Sequence, residues 1–200
     1  MKRNFLVSIL ALILLLTAFG CGPAKLEISE EQALAVLQDL VPRSYEINVI
    51  LFGNGLPTED HAGTGAADGA IYYPVTEDCG YRSTAEIKRA AEKIYSARYL
   101  SGIYVFAFTG VHSDEEDSNL DLSVSPRYRD LAEQGLCVNV TVKPIAIRGR
   151  LEVLSVTVGK RTSTYVATEV TCRDESGNTL TLHIPLTKEN GVWLLDGPTY

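Results

Sequence analysis

Apolar positions recur at helical spacing along the first half of the chain and alternate along the second. Leu34, Leu37, Leu40 and Val41 fall on one helical face. Ser29-Glu30-Glu31-Gln32 before them is a capping box, in which the Ser29 hydroxyl accepts from the Gln32 amide and the Gln32 side chain reaches back. Pro42 interrupts the run, because proline lacks the amide hydrogen that a helix interior uses. Tyr45, Ile47, Val49, Ile50, Leu51 and Phe52 continue a helix-compatible pattern, which Gly53 ends at an expected left-handed position. The pattern predicts two helical pieces, over 30–41 and 43–52, kinked at Pro42. Strand is the alternative for 46–52, which is rich in β-branched residues.

Residues 53–70 read as loop, punctuated by Gly53-Asn54-Gly55, Pro57 and Gly63-Thr64-Gly65. A short strand is expected at Ile71-Tyr72-Tyr73. A second capping box, Ser83-Thr84-Ala85-Glu86, opens a helix predicted over 84–97, with Ile87, Ala90, Ala91, Ile94 and Tyr95 as its apolar stripe. A short helical piece follows at 101–108. Residues 127–131 and 136–142 read as a hairpin. Strands are predicted at 151–158, 162–173, 179–187 and 192–195, joined by Gly159-Lys160, Ser176-Gly177-Asn178 and Glu189-Asn190-Gly191. The clearest alternation sets Leu180, Leu182, Ile184 and Leu186 against Thr179, Thr181, His183, Pro185 and Thr187, a half-buried antiparallel strand. Pro185 marks an edge or a bulge. The expected fold class is α+β: N-terminal helices packed on one face of a curved antiparallel β-meander, in a single domain over 30–200.

The start of the chain is an address. Lys2 and Arg3 precede Phe5–Phe19, an apolar run of 15 residues broken only by Ser8 and Thr17. A membrane span needs roughly 20 apolar residues, so the run fits the core of a signal peptide better. Leu16-Thr17-Ala18-Phe19-Gly20-Cys21-Gly22 then resembles the lipobox of bacterial lipoproteins. That resemblance implies cleavage before Cys21, diacylglyceryl attachment to its sulfur, and a chain held at the outer face of the bacterial cell membrane. Residues 1–20 are then a signal peptide and 21–29 the lipidated cysteine with its tether. Ordinary secretion with Cys21 as a structural thiol and an uncleaved anchor are the alternatives; all three export the domain.

Composition narrows the classes. The 200 residues carry 18 Lys+Arg and 25 Asp+Glu, a net −7, with 46% apolar and 22% charged residues. This excludes a disordered or collagen-like chain, and the acidity argues against non-specific nucleic-acid binding. Loss of Lys2 and Arg3 on cleavage takes the 18 basic residues to 16 against 25 acidic, a net −9 that points to a basic protein partner. Three His and four Cys are too scattered for a zinc module, and no cofactor is implied. With Cys21 acylated, Cys79, Cys137 and Cys172 remain, an odd number in a disulfide-permitting compartment. Cys137 shares the polar phase of its strand, and Cys172 is in phase with Val166 and Val170 on a core face. The two thiols are therefore expected to stay unpaired.

Asp114-Glu115-Glu116-Asp117, with Asp121 nearby, is the densest charge cluster and the candidate partner-binding surface. A solvated loop is the plainer reading. A calcium loop starting at Asp117, Asn119 and Asp121 fails, because Leu122 stands where glycine is needed and Tyr128 where glutamate is needed. Glu59-Asp60-His61 is a compact acid–histidine group suited to proton transfer, but in a loop; His112 and His183 read as surface residues. Gly63-Thr64-Gly65 lacks the context of a phosphate cradle. A polar sheet face is expected to carry Cys137, Asn139, Thr141, Thr181, His183 and Thr187. Tyr72, Tyr73, Tyr81, Tyr99 and Tyr104 offer amphipathic surface for recognition, or pack on the core with wet hydroxyls.

Three stretches together carry a resemblance: Leu51-Phe52-Gly53-Asn54-Gly55 at a helix end, Tyr81-Arg82-Ser83-Thr84-Ala85-Glu86-Ile87-Lys88, and the closing Gly191-Val192-Trp193-Leu194-Leu195-Asp196-Gly197-Pro198-Thr199-Tyr200. Over residues 30–200 the pattern resembles the IseA-type DL-endopeptidase inhibitor family of Gram-positive bacteria, and the cystatin-like and NTF2-like folds. The resemblance implies an envelope protein that docks on NlpC/P60-type peptidoglycan hydrolases and blocks their catalytic clefts, with no single inhibitory residue matched. The expected function is a non-enzymatic, lipid-anchored protein-binding module. One alternative is an enzyme or small-ligand binder that uses a cone-shaped NTF2-like cavity. Another is a structural accessory lipoprotein. Growth of cells with labelled palmitate is expected to label this protein, and Cys21→Ala to abolish the label; labelling that survives the substitution contradicts the lipid anchor.

Overall fold

The computed structural model describes residues 27–59, 63–111 and 124–200. Cys21, Asp60, His61, His112, Asp114, Glu115, Glu116, Asp117 and Asp121 lie outside the described residues. Helix α1, Glu30–Leu51, opens on the expected capping box: Gln32 N donates to Ser29 Oγ at 3.1 Å and Ser29 N to Gln32 Oε1 at 3.0 Å. It is one helix rather than two, running through Pro42. An interior proline costs about 3 kcal/mol. Burial of Leu37, Leu40, Val41, Ile47, Ile50 and Leu51 against the sheet behind it offsets that, at roughly 1.5–3 kcal/mol per large side chain. The helix ends at Phe52 without a left-handed glycine; the positive φ falls on Gly55, at +80°.

The helix expected over 84–97 is two helices, α2 (Thr84–Ala91) and α3 (Ala97–Tyr104). Ser83 caps α2, its Oγ accepting from Glu86 N at 3.3 Å, but Glu86 turns to Arg82 N instead of closing the box. The break has a distant cause. Residues 94–96 leave the helix to pair with the last strand: Leu195 N donates to Ile94 O at 2.9 Å and Ser96 N to Leu195 O at 2.8 Å. Ser96 then caps α3 through Tyr99 N. A π-helical turn, Val105–Thr109, extends α3.

The fold class is α+β, with the strands divided between two antiparallel sheets. The first contains β1 (Thr64–Gly65), β2 (Ile71–Pro74), β3 (Tyr128–Leu131) and β4 (Gly135–Asn139), in the order β1-β2-β4-β3. The second contains β5 (Glu152–Arg161), β6 (Tyr165–Arg173), β7 (Thr179–His183), β8 (Leu186–Glu189) and β9 (Val192–Leu195). Its order is β5-β6-β8-β9, with β7 also on β6. Asn190 and Gly191, both at positive φ, turn β8 into β9, and Gly177 turns β6 into β7. Gly159-Lys160 is not a turn. It lies in a register shift within β5, and the chain reverses at Thr162-Ser163-Thr164, where Thr162 Oγ1 accepts from Tyr165 N at 3.0 Å. Pro185 separates β7 from β8 while β6 runs on beside both in one register. There the Thr168 hydroxyl donates to Ile184 O.

Both sheets and the helices share one apolar core, which among the described residues runs from Ile28 to Leu195 in sequence. A second, small cluster of Ala70, Tyr72 and Cys137 covers the other face of the first sheet. Cys137 does point away from the main core, but that face is closed, and Cys137 and Asn139 are buried rather than displayed. Tyr72 is buried too, its hydroxyl donating to Pro126 O at 2.7 Å. Thr181 and His183 are exposed as expected. Cys79, Cys137 and Cys172 are free and buried, and burial pushes the Cys172 thiol up to about 11.

Two polar groups sit inside this core. Ser44 and Asn48 of α1, Tyr95 between the helices, and Thr199 near the chain end form a buried knot. Asn48 Nδ2 donates to Thr199 Oγ1 at 2.8 Å, and Tyr95 OH to Asn48 Oδ1 at 2.8 Å. Ser44 Oγ donates to Val41 O at 2.7 Å, which leaves Thr199 to donate to Ser44, also at 2.7 Å. Beside the knot, the fully buried Asp196 carboxylate accepts from Ser96, Arg98 and Thr187. Burial alone would raise the Asp196 carboxyl, but these hydrogen bonds and the Arg98 charge hold it below its ordinary value. A carboxyl depressed by folding contributes stability above its unfolded pKa of about 3.9 and loses it as pH falls through the lower folded value. Asp196→Asn is therefore expected to flatten the fall in urea midpoint as the pH drops below about 4. An unchanged pH slope contradicts this role.

Candidate functional site

Where α1 ends, α3 and its π-turn pass, and the chain closes, the walls leave an apolar cleft of about 450 Å³. Leu51 and Phe52 supply one side, Ile103, Phe106 and Ala107 another, and Val142 and Ile145 a third. The third side is tied down where Ile145 N donates to Phe52 O at 2.9 Å. Tyr200 closes the end, its ring 4.3 Å from that of Phe52 and its hydroxyl accepting from Tyr99 at 3.3 Å. Tyr99 stacks on Tyr95 of the polar knot at 5.1 Å, so the knot sets this wall. Burial, reinforced by Tyr200, pushes the Tyr99 phenol far above its ordinary range, and it stays neutral. The volume lies within the roughly 300–1,000 Å³ of small-molecule sites, which are likewise mostly apolar with few polar groups.

The floor is Arg127. Its backbone is held on both sides: Arg127 N donates to Phe106 O at 3.1 Å, and Asn139 N to Arg127 O at 2.8 Å. Only 5% of the residue is exposed. Nη2 donates to Gly53 O, while Nε is buried without an acceptor. The guanidinium lies 5.9 Å from the centre of the Tyr128 ring, and the Tyr128 hydroxyl is itself anchored to Ile50 O at 2.8 Å. Gly55 makes the room. A Cβ there would stand 2.9 Å from Arg127 Nη2, and its φ of +80° suits glycine. Among the described residues, the charged side chains lining the cleft are Arg127 and the exposed Lys143; no Asp or Glu side chain lines it. In a chain of net −7 this is a cationic spot.

Apart from Tyr99, the candidate site residues singled out in the sequence are not brought to this cleft among the described residues. Cys21 and the Asp114–Asp117 cluster fall outside the described residues. Glu59 is exposed at a second, polar cavity of about 550 Å³ with Glu77, Arg82 and Glu133. Arg82 there is already bound to the carbonyls of Thr76 and Glu77. Among the described residues no group of acidic, His or Cys side chains could hold a metal ion. His183 stands exposed on β7 opposite Glu169. Tyr99, a candidate for surface recognition in the sequence, lines the cleft. Arg127 reads in the sequence only as the start of a strand. No local signal marks it, because its burial is created by Gly53, Gly55, Phe106 and Asn139 from three other parts of the chain.

Comparison with known proteins supplies no family: no family model matches the chain, and no curated protein matches it.

Proposed function

We propose that this chain is a lipid-anchored binding module of the bacterial cell envelope, and that the cleft beside Tyr99 and Tyr200 is its working site. The envelope location is supported by the Lys2-Arg3 start, the Phe5–Phe19 run and Gly20-Cys21. The binding role is supported by one observation above all: an apolar, aromatic-walled cleft of small-molecule size that the fold holds open. Its aromatic side chains can bury area with little loss of side-chain freedom.

One feature favours a second reading, an inhibitor of NlpC/P60-type peptidoglycan hydrolases. Phe106, 63% exposed, projects at the cleft mouth beside the exposed Val105 and could enter the groove of a partner. Aromatic side chains of this kind anchor protein interfaces.

A soluble form, residues 21–200 with Cys21→Ser, keeps the whole described core and is suited to the test. The neutral fluorophore N-phenylnaphthylamine is expected to bind it with enhanced emission. Ile103→Ser in the cleft wall is expected to weaken that binding about tenfold, with the melting transition retained. No enhancement in the parent protein contradicts the cleft reading. In the same preparation, slowed cell-wall lysis by an NlpC/P60 hydrolase, relieved by Phe106→Asp, favours the inhibitor reading, and unchanged lysis across a panel removes it.

A further inference from the structure

We infer that the ligand of the cleft is an acidic single-chain amphiphile, an apolar chain ended by a carboxylate, and that Arg127 receives the carboxylate. This rests on the cleft being a binding site. A guanidinium cannot give up its charge in a protein. A charge taken out of water is stabilised by an opposite charge or by hydrogen bonds that occupy its donors. Arg127 has neither in full: it is 5% exposed, it makes no ion pair among the described residues, and its Nε has no acceptor. Its protein partners are neutral, the Gly53 carbonyl and the Tyr128 hydroxyl.

Arg127 lines the apolar cleft and also a smaller cavity of about 230 Å³ bounded by Leu56, Thr58, Val138 and Asn139, again without an Asp or Glu side chain. The fold has gone to some length to place this charge, since Gly55 leaves the space for it and both its backbone polar groups are bonded. A carboxylate entering the cleft matches the planar fork of an arginine, in a water-poor setting where such a charge-assisted bond is strong. Lys143 adds a second positive charge at the cleft, which steers anions toward it. The remaining lining is hydrocarbon and aromatic, which sets the rest of the ligand. At about 30 Å³ per water-sized group, 450 Å³ accommodates roughly 15 heavy atoms, so dodecanoate is a fitting probe.

The test is calorimetric titration of the soluble form with three probes that share a chain and differ in headgroup: dodecanoate, dodecanol and dodecyltrimethylammonium. Dodecanoate is expected to bind roughly 10- to 100-fold tighter than dodecanol, and the cation not to bind. Arg127→Met is expected to bring dodecanoate to the level of dodecanol, and Arg127→Lys to keep part of the preference. Should Arg127→Met fail to fold, the headgroup series on the parent protein decides alone. Equal binding of dodecanoate and dodecanol overturns the inference. If N-phenylnaphthylamine still binds in that case, the cleft remains a site for neutral ligands; if it does not, the binding reading falls as well. Dodecanoate binding that emerges only in D114N/E115Q/E116Q/D117N gives Arg127 to the chain's own acidic segment and also overturns the inference.

Discussion

Ser44, Asn48, Tyr95 and Thr199 bury their polar atoms together inside an apolar core, and the arrangement of the domain follows from that meeting. Each side chain alone would be costly there, at about 1–3 kcal/mol per unsatisfied group. Together they leave no polar atom without a partner. Such a cluster has one satisfactory geometry, whereas Leu and Val tolerate several. The middle of α1, the junction of α2 and α3, and the end of the chain are therefore fixed relative to one another. The Asp196 site, with Ser96, Arg98 and Thr187, repeats the device close by and pins α3 to the strands.

The cleft inherits its shape from this arrangement. Tyr95 of the knot stacks on Tyr99, Tyr99 bonds to Tyr200, and Tyr200 packs on Phe52 at the end of α1. A wall made in this way is rigid, and a rigid apolar wall keeps a ligand's entropic cost low. Arg127 enters from the other side and is held by different elements, the π-turn and β4. Shape and charge thus come from separate parts of the chain, which lets the apolar walls select a chain and the guanidinium select its head.

Features governed by neighbours in sequence are legible from the order of residues alone. The caps at Ser29 and Ser83, the turns at Gly177 and Asn190-Gly191, and the alternating strand around Leu182 each depend on a few adjacent residues. Features governed by distant partners are not legible in this way. Pro42 reads as a break until the core it faces is known. Residues 94–96 continue a helical stripe, and Leu195 alone takes them out of the helix. Gly159 looks like a turn and is a bulge, because the pairing with β6 continues past it. Cys137 lies on the predicted side of its strand, but Ala70 and Tyr72 cover that side. Of the cleft, Tyr99 is visible in the sequence as a candidate for recognition and Arg127 is not, since an arginine's burial depends on what other segments place around it.

Nitrogen-detected NMR of the Arg127 Nε–H tests most directly whether this guanidinium is a receptor for an anion. That hydrogen has no acceptor in the protein and belongs to the guanidinium that a carboxylate in the cleft would bind, so its resonance reports on that binding. On addition of dodecanoate its resonance is expected to move downfield and its exchange with water to slow, while dodecanol leaves both unchanged. A resonance that ignores dodecanoate, or responds equally to the alcohol, contradicts the account.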